Sequence, residues 1–309
     1  MSSSIIAWCS PGEQPGTYET YTLIQHSLHT AAIADLFYDR WRWRSKVSNL
    51  PDSLLLITAG LHDIGKAWRG YQEAALSRCS RGREPSFRLH ELLSGIVAAS
   101  MKRETEMERE TERHRRLLAR SPLWEALIVG VILHHHGMTS RYENSIVKII
   151  DKIFRDGIVG KGFPPLSIRE LLEDALPPTR EILKKLGCLA EKLGKGYNSD
   201  LMNNMIKLVD SLAGRIASNA RLDQDLILKN IKDSIEKVGR YPEKEELSAT
   251  ITVLAGFTAV ADTTAASIER SHGNTIPRGT YAWRVLGEAF GEKAPKLVQD
   301  RLDKARQCL

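Results

Sequence analysis

Gly60-Leu61-His62-Asp63-Ile64-Gly65-Lys66 decides how this chain is read. A histidine and an aspartate stand side by side after the apolar run Leu54-Leu55-Leu56-Ile57-Thr58-Ala59, and Lys66 follows the histidine by one helical turn. Asp52 or Ser53 can cap a helix over this run, since a short side-chain oxygen accepts an orphan backbone N–H. Gly65 can end it in the left-handed conformation. His62 and Asp63 then fall in the last turn of a buried helix. Burying a carboxylate beside an imidazole is costly unless a metal ion lies between them or the two form a satisfied ion pair. The doublet alone leaves both open. The same residues fit the phosphate-loop pattern G-x-x-x-x-G-K, but that pattern needs Ser or Thr next, and Ala67 stands there. The segment also reads as helix and not as strand–loop–helix, so no ATP-binding loop is expected.

Working outward, other ionisable residues sit on apolar helical stripes. Leu23, His26, Thr30, Ile33 and Phe37 recur at helical spacing, which puts His26 on a buried face, as a satisfied core histidine or as a ligand. His29 lies on a neighbouring part of that helix. His90 opens a further stripe with Leu93, Val97 and Met101, and Ser94, Gly95, Ala98 and Ala99 permit close helix contact there. A third helix, through Trp124, Leu127, Ile128, Val131 and Ile132, runs into His134-His135-His136-Gly137. Neutral imidazole is a frequent ligand of transition metals, and two adjacent members of such a triplet can face one site. Near the end, Asp262 stands in Phe257-Thr258-Ala259-Val260-Ala261-Asp262-Thr263-Thr264-Ala265-Ala266-Ser267. An ionised carboxylate with such flanks needs a cation, a metal or a cluster of donors.

The remaining segments carry less chemistry. Ile5 to Thr22 reads as loop or short extended structure. Arg40-Trp41-Arg42-Trp43-Arg44 can stack on bases, but reads better as a helix end with Trp in the core and Arg in solvent. Arg78, Arg81, Arg83 and Arg88 surround a polar loop, either at the rim of a site or simply solvated. Lys102 to Arg120 is a mixed charge run, expected as a solvated helical face. From Arg141 to Leu247 several helices are expected: Ser167-Ile168-Arg169-Glu170 as a capping box, Pro177-Pro178-Thr179 as a break, Asn198 to Ser218 and Asp223 to Val238 as amphipathic helices. His272 and the Lys/Arg-rich C-terminal helix are expected at the surface.

The chain has 309 residues, 42% of them hydrophobic, with net charge +6. That is enough for one large domain with an insertion. The modest basic excess favours polyanionic partners. The four cysteines, Cys9, Cys79, Cys188 and Cys308, are far apart and form no C-x-x-C pair. They are expected as thiols in a reducing cytosol, without a disulfide framework. No signal peptide is expected at Met1 to Ser10, and the apolar run Ala126 to Leu133 is too short to span a bilayer.

Taken together, the order is His, His-Asp, His, a His pair, Asp. With "HDIGK", "HHG" and the late apolar "AD…AAS" helix, it resembles the HD superfamily of metal-dependent phosphohydrolases. More closely it resembles the CRISPR-associated HD nuclease, the stand-alone subunit that works beside a separate helicase in type I interference. The resemblance implies an all-α fold: an HD helical bundle over residues 1–309 with a helical insertion at about 141–247. It implies one metal held by His26, His62, Asp63 and Asp262, and a second held by Asp63, His90, His135 and His136. The triplet leaves open whether His134 replaces one of that pair. Asp63 and Lys66 would be the catalytic residues, with Lys66 steadying a phosphate or developing negative charge. The mixed His/Asp shell suits Mn²⁺, Ni²⁺, Co²⁺ or Fe²⁺ better than Mg²⁺. The implied substrate is single-stranded DNA, the implied partners a helicase and an RNA-guided effector complex, and the location cytoplasmic with no membrane. Two other readings use the same residues: a phosphohydrolase of nucleotides or cyclic dinucleotides, and a non-catalytic scaffold.

Overall fold

Thr22 turns the chain from a hairpin into its central helix. Strands β1 (Ile6–Pro11) and β2 (Tyr18–Thr22) pair antiparallel. The Thr22 hydroxyl then accepts from Gln25 N at 3.2 Å and starts α1 (Leu23–Ala34). The computed structural model describes residues 5–11, 18–107, 122–133, 143–157, 159, 163–239, 245–271 and 280–309. The helices that follow are α2 (Tyr38–Val47), α3 (Leu54–Leu61), α4 (Arg69–Cys79), α5 (His90–Met107), α6 (Leu123–Leu133) and α7 (Glu143–Asp156). Then come α8 (Ile168–Leu193), α9 (Ser199–Ala217), α10 (Gln224–Gly239), α11 (Glu245–Arg270), α12 (Tyr281–Phe290) and α13 (Ala294–Arg306). Among the described residues the fold is all-α apart from the two-stranded sheet.

Helix α1 is buried on almost every side, with Leu23, Leu28, Ala31 and Ile33 fully inaccessible. A helix buried all round lies inside the core, and its polar residues His26 and His29 must find partners there. It packs against α3, α8, α11 and α13, which brings the ends of distant segments around one centre. Helix α3 is equally enclosed, between α1, α6, α8 and α11. Within 141–247, α8 lies on α1, α3 and α9, while α10 lies on α5, α6 and α7.

Several local expectations are corrected. Pro177 and Pro178 do not break the chain but lie inside α8. Pro178, Thr179, Ile182 and Leu183 are buried there, and the Thr179 hydroxyl donates to the Ala175 carbonyl at 2.7 Å. Tertiary burial outweighs the local cost of proline, about 3 kcal/mol. Neither Asp52 nor Ser53 caps α3 with its side chain. The Asp52 carboxylate accepts from Ser45 Oγ at 2.6 Å, and the Ser53 hydroxyl donates to the Asn198 carbonyl at 3.1 Å. Ser167 precedes α8 but makes no capping bond. Of the Arg/Trp run, Trp41 is in the core, whereas Trp43 is 61% exposed beneath Arg44. Lys102 is buried against Glu125 at 3.1 Å, so the charge run begins inside the protein. Arg301 of α13 likewise reaches the fully buried Asp35 at 2.6 Å, and Lys195 and Tyr197 meet the same carboxylate.

The cysteines are paired. Cys9 bonds Cys79 and Cys188 bonds Cys308, with Cα separations of 6.1 and 6.0 Å, within the usual disulfide range. Their sequence separations, 70 and 120 residues, hide a spatial neighbourhood that spacing rules cannot detect. Among the described residues, α11 is long and apolar enough to cross a membrane by length and composition. It is a core helix in part, since Ile251, Leu254, Ala261 and Ala265 are buried against the protein.

Candidate metal centre

Helix α3 ends at Leu61, and His62 and Asp63 follow directly, before a short 3-10 turn, Ile64–Ala67. Both side chains are fully buried. Gly65 does not end a helix in the left-handed region. It lets the turn lie against α5: a Cβ at Gly65 would collide with the His90 carbonyl and fall 2.7 Å from both Leu93 Cβ and Ser94 N. Gly65 N donates to Ser94 Oγ at 2.8 Å, which locks the contact. The turn thereby carries Asp63 to His90, and α1 and α11 bring His26 and Asp262 from the other side.

Four ligand atoms converge. His26 Nε2 lies 3.0 Å from Asp262 Oδ1 and 3.4 Å from Asp63 Oδ2. His62 Nε2 lies 3.3 Å from Asp63 Oδ2 and 3.5 Å from Asp262 Oδ1. Ligands ~2.1 Å from one ion are separated by roughly 3.0 Å when octahedral neighbours and roughly 3.4 Å when tetrahedral. The observed edges match a shell around a single cation. Asp63 presents its other oxygen, Oδ1, to His90 Nε2 at 2.9 Å. Among the described residues, one oxygen of Asp63 therefore faces His26 and His62 and the other faces His90.

The outer nitrogens fix what the inner ones can do. His62 Nδ1 donates to the Ala59 carbonyl at 2.7 Å, and His90 Nδ1 to the Phe87 carbonyl at 2.5 Å. His26 Nδ1 donates to Glu269 Oε2 at 2.9 Å. A carbonyl oxygen can only accept, so the Nδ1 positions carry the protons. In the neutral rings each Nε2 then points a lone pair at carboxylate oxygens. Lone pairs facing lone pairs require a positive charge between them, either protons or a metal. Burial opposes charge on His62, yet Asp63 and Asp262 push its pKa up to about 9. Burial likewise opposes charge on His26, but Glu269, Asp262 and Asp63 raise it well above its ordinary value. Burial would raise Asp63 and Asp262, but the surrounding imidazoles, with Lys66 beside Asp63, hold both well below the usual carboxylate range. The cluster is built for positive charge, and the donor set fits a divalent transition metal.

Lys66 Nζ lies 2.5 Å from Asp63 Oδ2 and over the Phe87 ring. Beside the cluster is a pocket of about 330 Å³. Trp8, Lys66, Phe87, His90, Asp262 and Arg270 help to line it, and Arg270 stacks on the Trp8 indole. The loop after α4 contributes Glu84 and Pro85 to this wall. His135 and His136, with His134, lie outside the described residues, as does His272.

Sequence reading overlooked Glu269 and Trp8, and placed His29 beside the buried stripe without giving it a role. Glu269 is 2% exposed and accepts from Trp8 Nε1 at 2.7 Å and His29 Nδ1 at 2.7 Å, in addition to His26. Its signal was its spacing, seven residues after Asp262 on the same helical face. No curated protein and no solved structure matches the chain. The family model described as "Cas3, HD domain" matches residues 10–269, most of the length, so the chain belongs to this family of CRISPR-associated, metal-dependent HD nucleases.

Proposed function

We propose that this chain is a nuclease that hydrolyses phosphodiester bonds of single-stranded DNA in type I CRISPR interference, beside a separate helicase and an RNA-guided effector complex. The observation that carries the reading is the set of Nδ1-tethered imidazoles whose Nε2 atoms face Asp63 and Asp262. His26, His62, Asp63 and Asp262 would hold one divalent ion. Asp63 Oδ1 and His90, joined by His135 and His136, would hold a second. Such ions neutralise phosphodiester charge and supply an acidified water at neutral pH. Mn²⁺, Ni²⁺, Co²⁺ or Fe²⁺ suits the mixed shell better than Mg²⁺.

The chain's own residues do the rest. Asp63 holds the two halves of the site in register through its two oxygens. Lys66 is close enough to Asp63 to exchange that contact for a non-bridging phosphate oxygen. Exposed Arg270, on the pocket wall, offers a second cation to the backbone of the strand. Asp262 is only 9% exposed, so the scissile phosphate must enter the pocket, which a flexible strand does more readily than a stacked duplex. Unwinding would come from the helicase. The helices of 141–247 act as an insertion that walls the bundle. The cytoplasmic location follows from the substrate and not from the cysteines, which are paired.

The test is cleavage of end-labelled single-stranded DNA by metal-stripped protein given Mn²⁺, Mg²⁺, Ni²⁺ or Co²⁺, beside Asp63→Ala. Metal-dependent cutting, abolished by Asp63→Ala, is expected. Hydrolysis of nucleotides or cyclic dinucleotides with no strand cutting would replace this reading with the small-substrate one. No hydrolysis of any of these substrates, with no metal bound, would leave a scaffold.

A further inference from the structure

The three described imidazoles that face Asp63 differ in one respect. His62 is tethered through Nδ1 to a backbone carbonyl, and His90 Nδ1 donates to the Phe87 carbonyl at 2.5 Å with Glu91 Oε2 3.3 Å away, whereas the Nδ1 hydrogen bond of His26 goes to a carboxylate. That carboxylate, Glu269, is itself immobilised. Trp8 Nε1 and His26 Nδ1 both reach Oε2, at 2.7 and 2.9 Å, and His29 Nδ1 reaches Oε1 at 2.7 Å. Three donors from β1 and α1 thus hold one carboxylate on α11, away from solvent. A carboxylate on the outer nitrogen of a ligating imidazole fixes the ring's orientation and tautomer and makes its inner nitrogen a stronger donor. A backbone carbonyl does the first two and less of the third.

We propose that Glu269 is the positioning residue of this metal centre. It aims His26 Nε2 at Asp63 and Asp262, makes that nitrogen a stronger donor, and is steadied through its other oxygen by His29. The proposal rests on the metal-centre reading above and deepens it. Glu269 touches neither the pocket chemistry nor the substrate, so its effect passes through His26.

Glu269→Gln keeps the shape but replaces one oxygen by an amide nitrogen, which meets an N–H donor where an acceptor stood. Binding of Co²⁺ to the metal-stripped protein is measured by calorimetry, and the visible Co²⁺ spectrum is recorded on the same samples. Trp8→Phe is the control, since it removes one support of the carboxylate and leaves the His26 contact in place. The expected result is a 10–100-fold weaker affinity for Glu269→Gln with a displaced Co²⁺ band, and a change below about threefold for Trp8→Phe. If Glu269→Gln does not fold, Glu269→Asp, which retracts the carboxylate from His26, is expected to weaken binding in the same direction. Wild-type affinity and spectrum in a folded Glu269 variant would overturn the proposal. So would an equal loss in Trp8→Phe, which would mark a general packing effect. Absence of Co²⁺ binding in the unaltered protein would instead overturn the metal centre itself, and this proposal with it.

Discussion

Gly65→Ala is expected to damage the site through two backbones that cannot yield separately. The backbone at Gly65 is not in the left-handed region, so alanine brings no conformational penalty of its own. The cost is contact. An added Cβ would collide with the His90 carbonyl and lie 2.7 Å from Ser94 N and Leu93 Cβ. Ordinary contact needs roughly 3.4–4.0 Å, so the turn and the start of α5 must part by about 1 Å. That movement draws His90 Nε2 away from Asp63 Oδ1, now 2.9 Å apart. Overpacking of this kind costs about 1–3 kcal/mol. At about 2 cal/mol/K of unfolding entropy per residue, a chain of this length loses roughly 2–5 °C in Tm. A displacement near 1 Å in a catalytic ligand lowers cleavage by about 10²-fold. Scanning calorimetry and initial rates on labelled single-stranded DNA measure the two effects. Gly60→Ala is the control: its Cβ would lie 2.7 Å from Leu186 Cδ1, the far end of a side chain that can turn away. It should keep cleavage within about threefold of wild type. Wild-type Tm and cleavage in Gly65→Ala would refute the claim that this close approach holds His90 on Asp63.

Other perturbations have equally definite outcomes. In metal-free protein, His62 at about 9 adds stability below its unfolded value near 6.5, and loses it as pH rises through 9. Metal must displace those protons, so Co²⁺ affinity followed by calorimetry should climb by up to about tenfold per pH unit per proton from pH 6.5 towards 9. A flat profile would contradict the raised histidines. Asp35→Asn leaves Arg301 and Lys195 facing a neutral group in a buried setting, at a cost of about 3–5 kcal/mol. A Tm fall of roughly 5–8 °C is expected. Under denaturing, non-reducing conditions iodoacetamide should find no reactive thiol. Reduction should cost about 2–5 kcal/mol per bridge, read as a lower urea midpoint. Four alkylated cysteines before reduction would refute the pairing.

The residues of the cluster were legible where burial and charge collide within one short stretch. His62 and Asp63 close an apolar run, and Asp262 interrupts one, so each called for a partner, whether a metal, an ion pair or a cluster of donors. His90 was marked by its place at the head of an apolar stripe, and the structure brings it to Asp63. Glu269 escaped because it stands beside Arg270 at a helix end, where an acidic residue reads as surface. Only α1 packing on α11 reveals the histidines that it serves. Gly65 was correctly singled out but for the wrong reason, because local rules describe backbone angles and not the approach of a distant helix. Pro177 and Pro178 misled in the same way: propensity predicts a break, and the buried face of α8 overrides it. The cysteine pairs each join a segment near one end of the sequence to an internal helix 70 or 120 residues away, which no local pattern encodes.

The most direct test of the metal centre is a crystal of the metal-stripped protein soaked in Mn²⁺, with diffraction recorded at the manganese absorption edge. An anomalous peak is expected among His26 Nε2, His62 Nε2, Asp63 Oδ2 and Asp262 Oδ1, with Lys66 Nζ moved off Asp63. A soaked crystal with no peak between those four atoms, and Lys66 still on Asp63, would contradict the account.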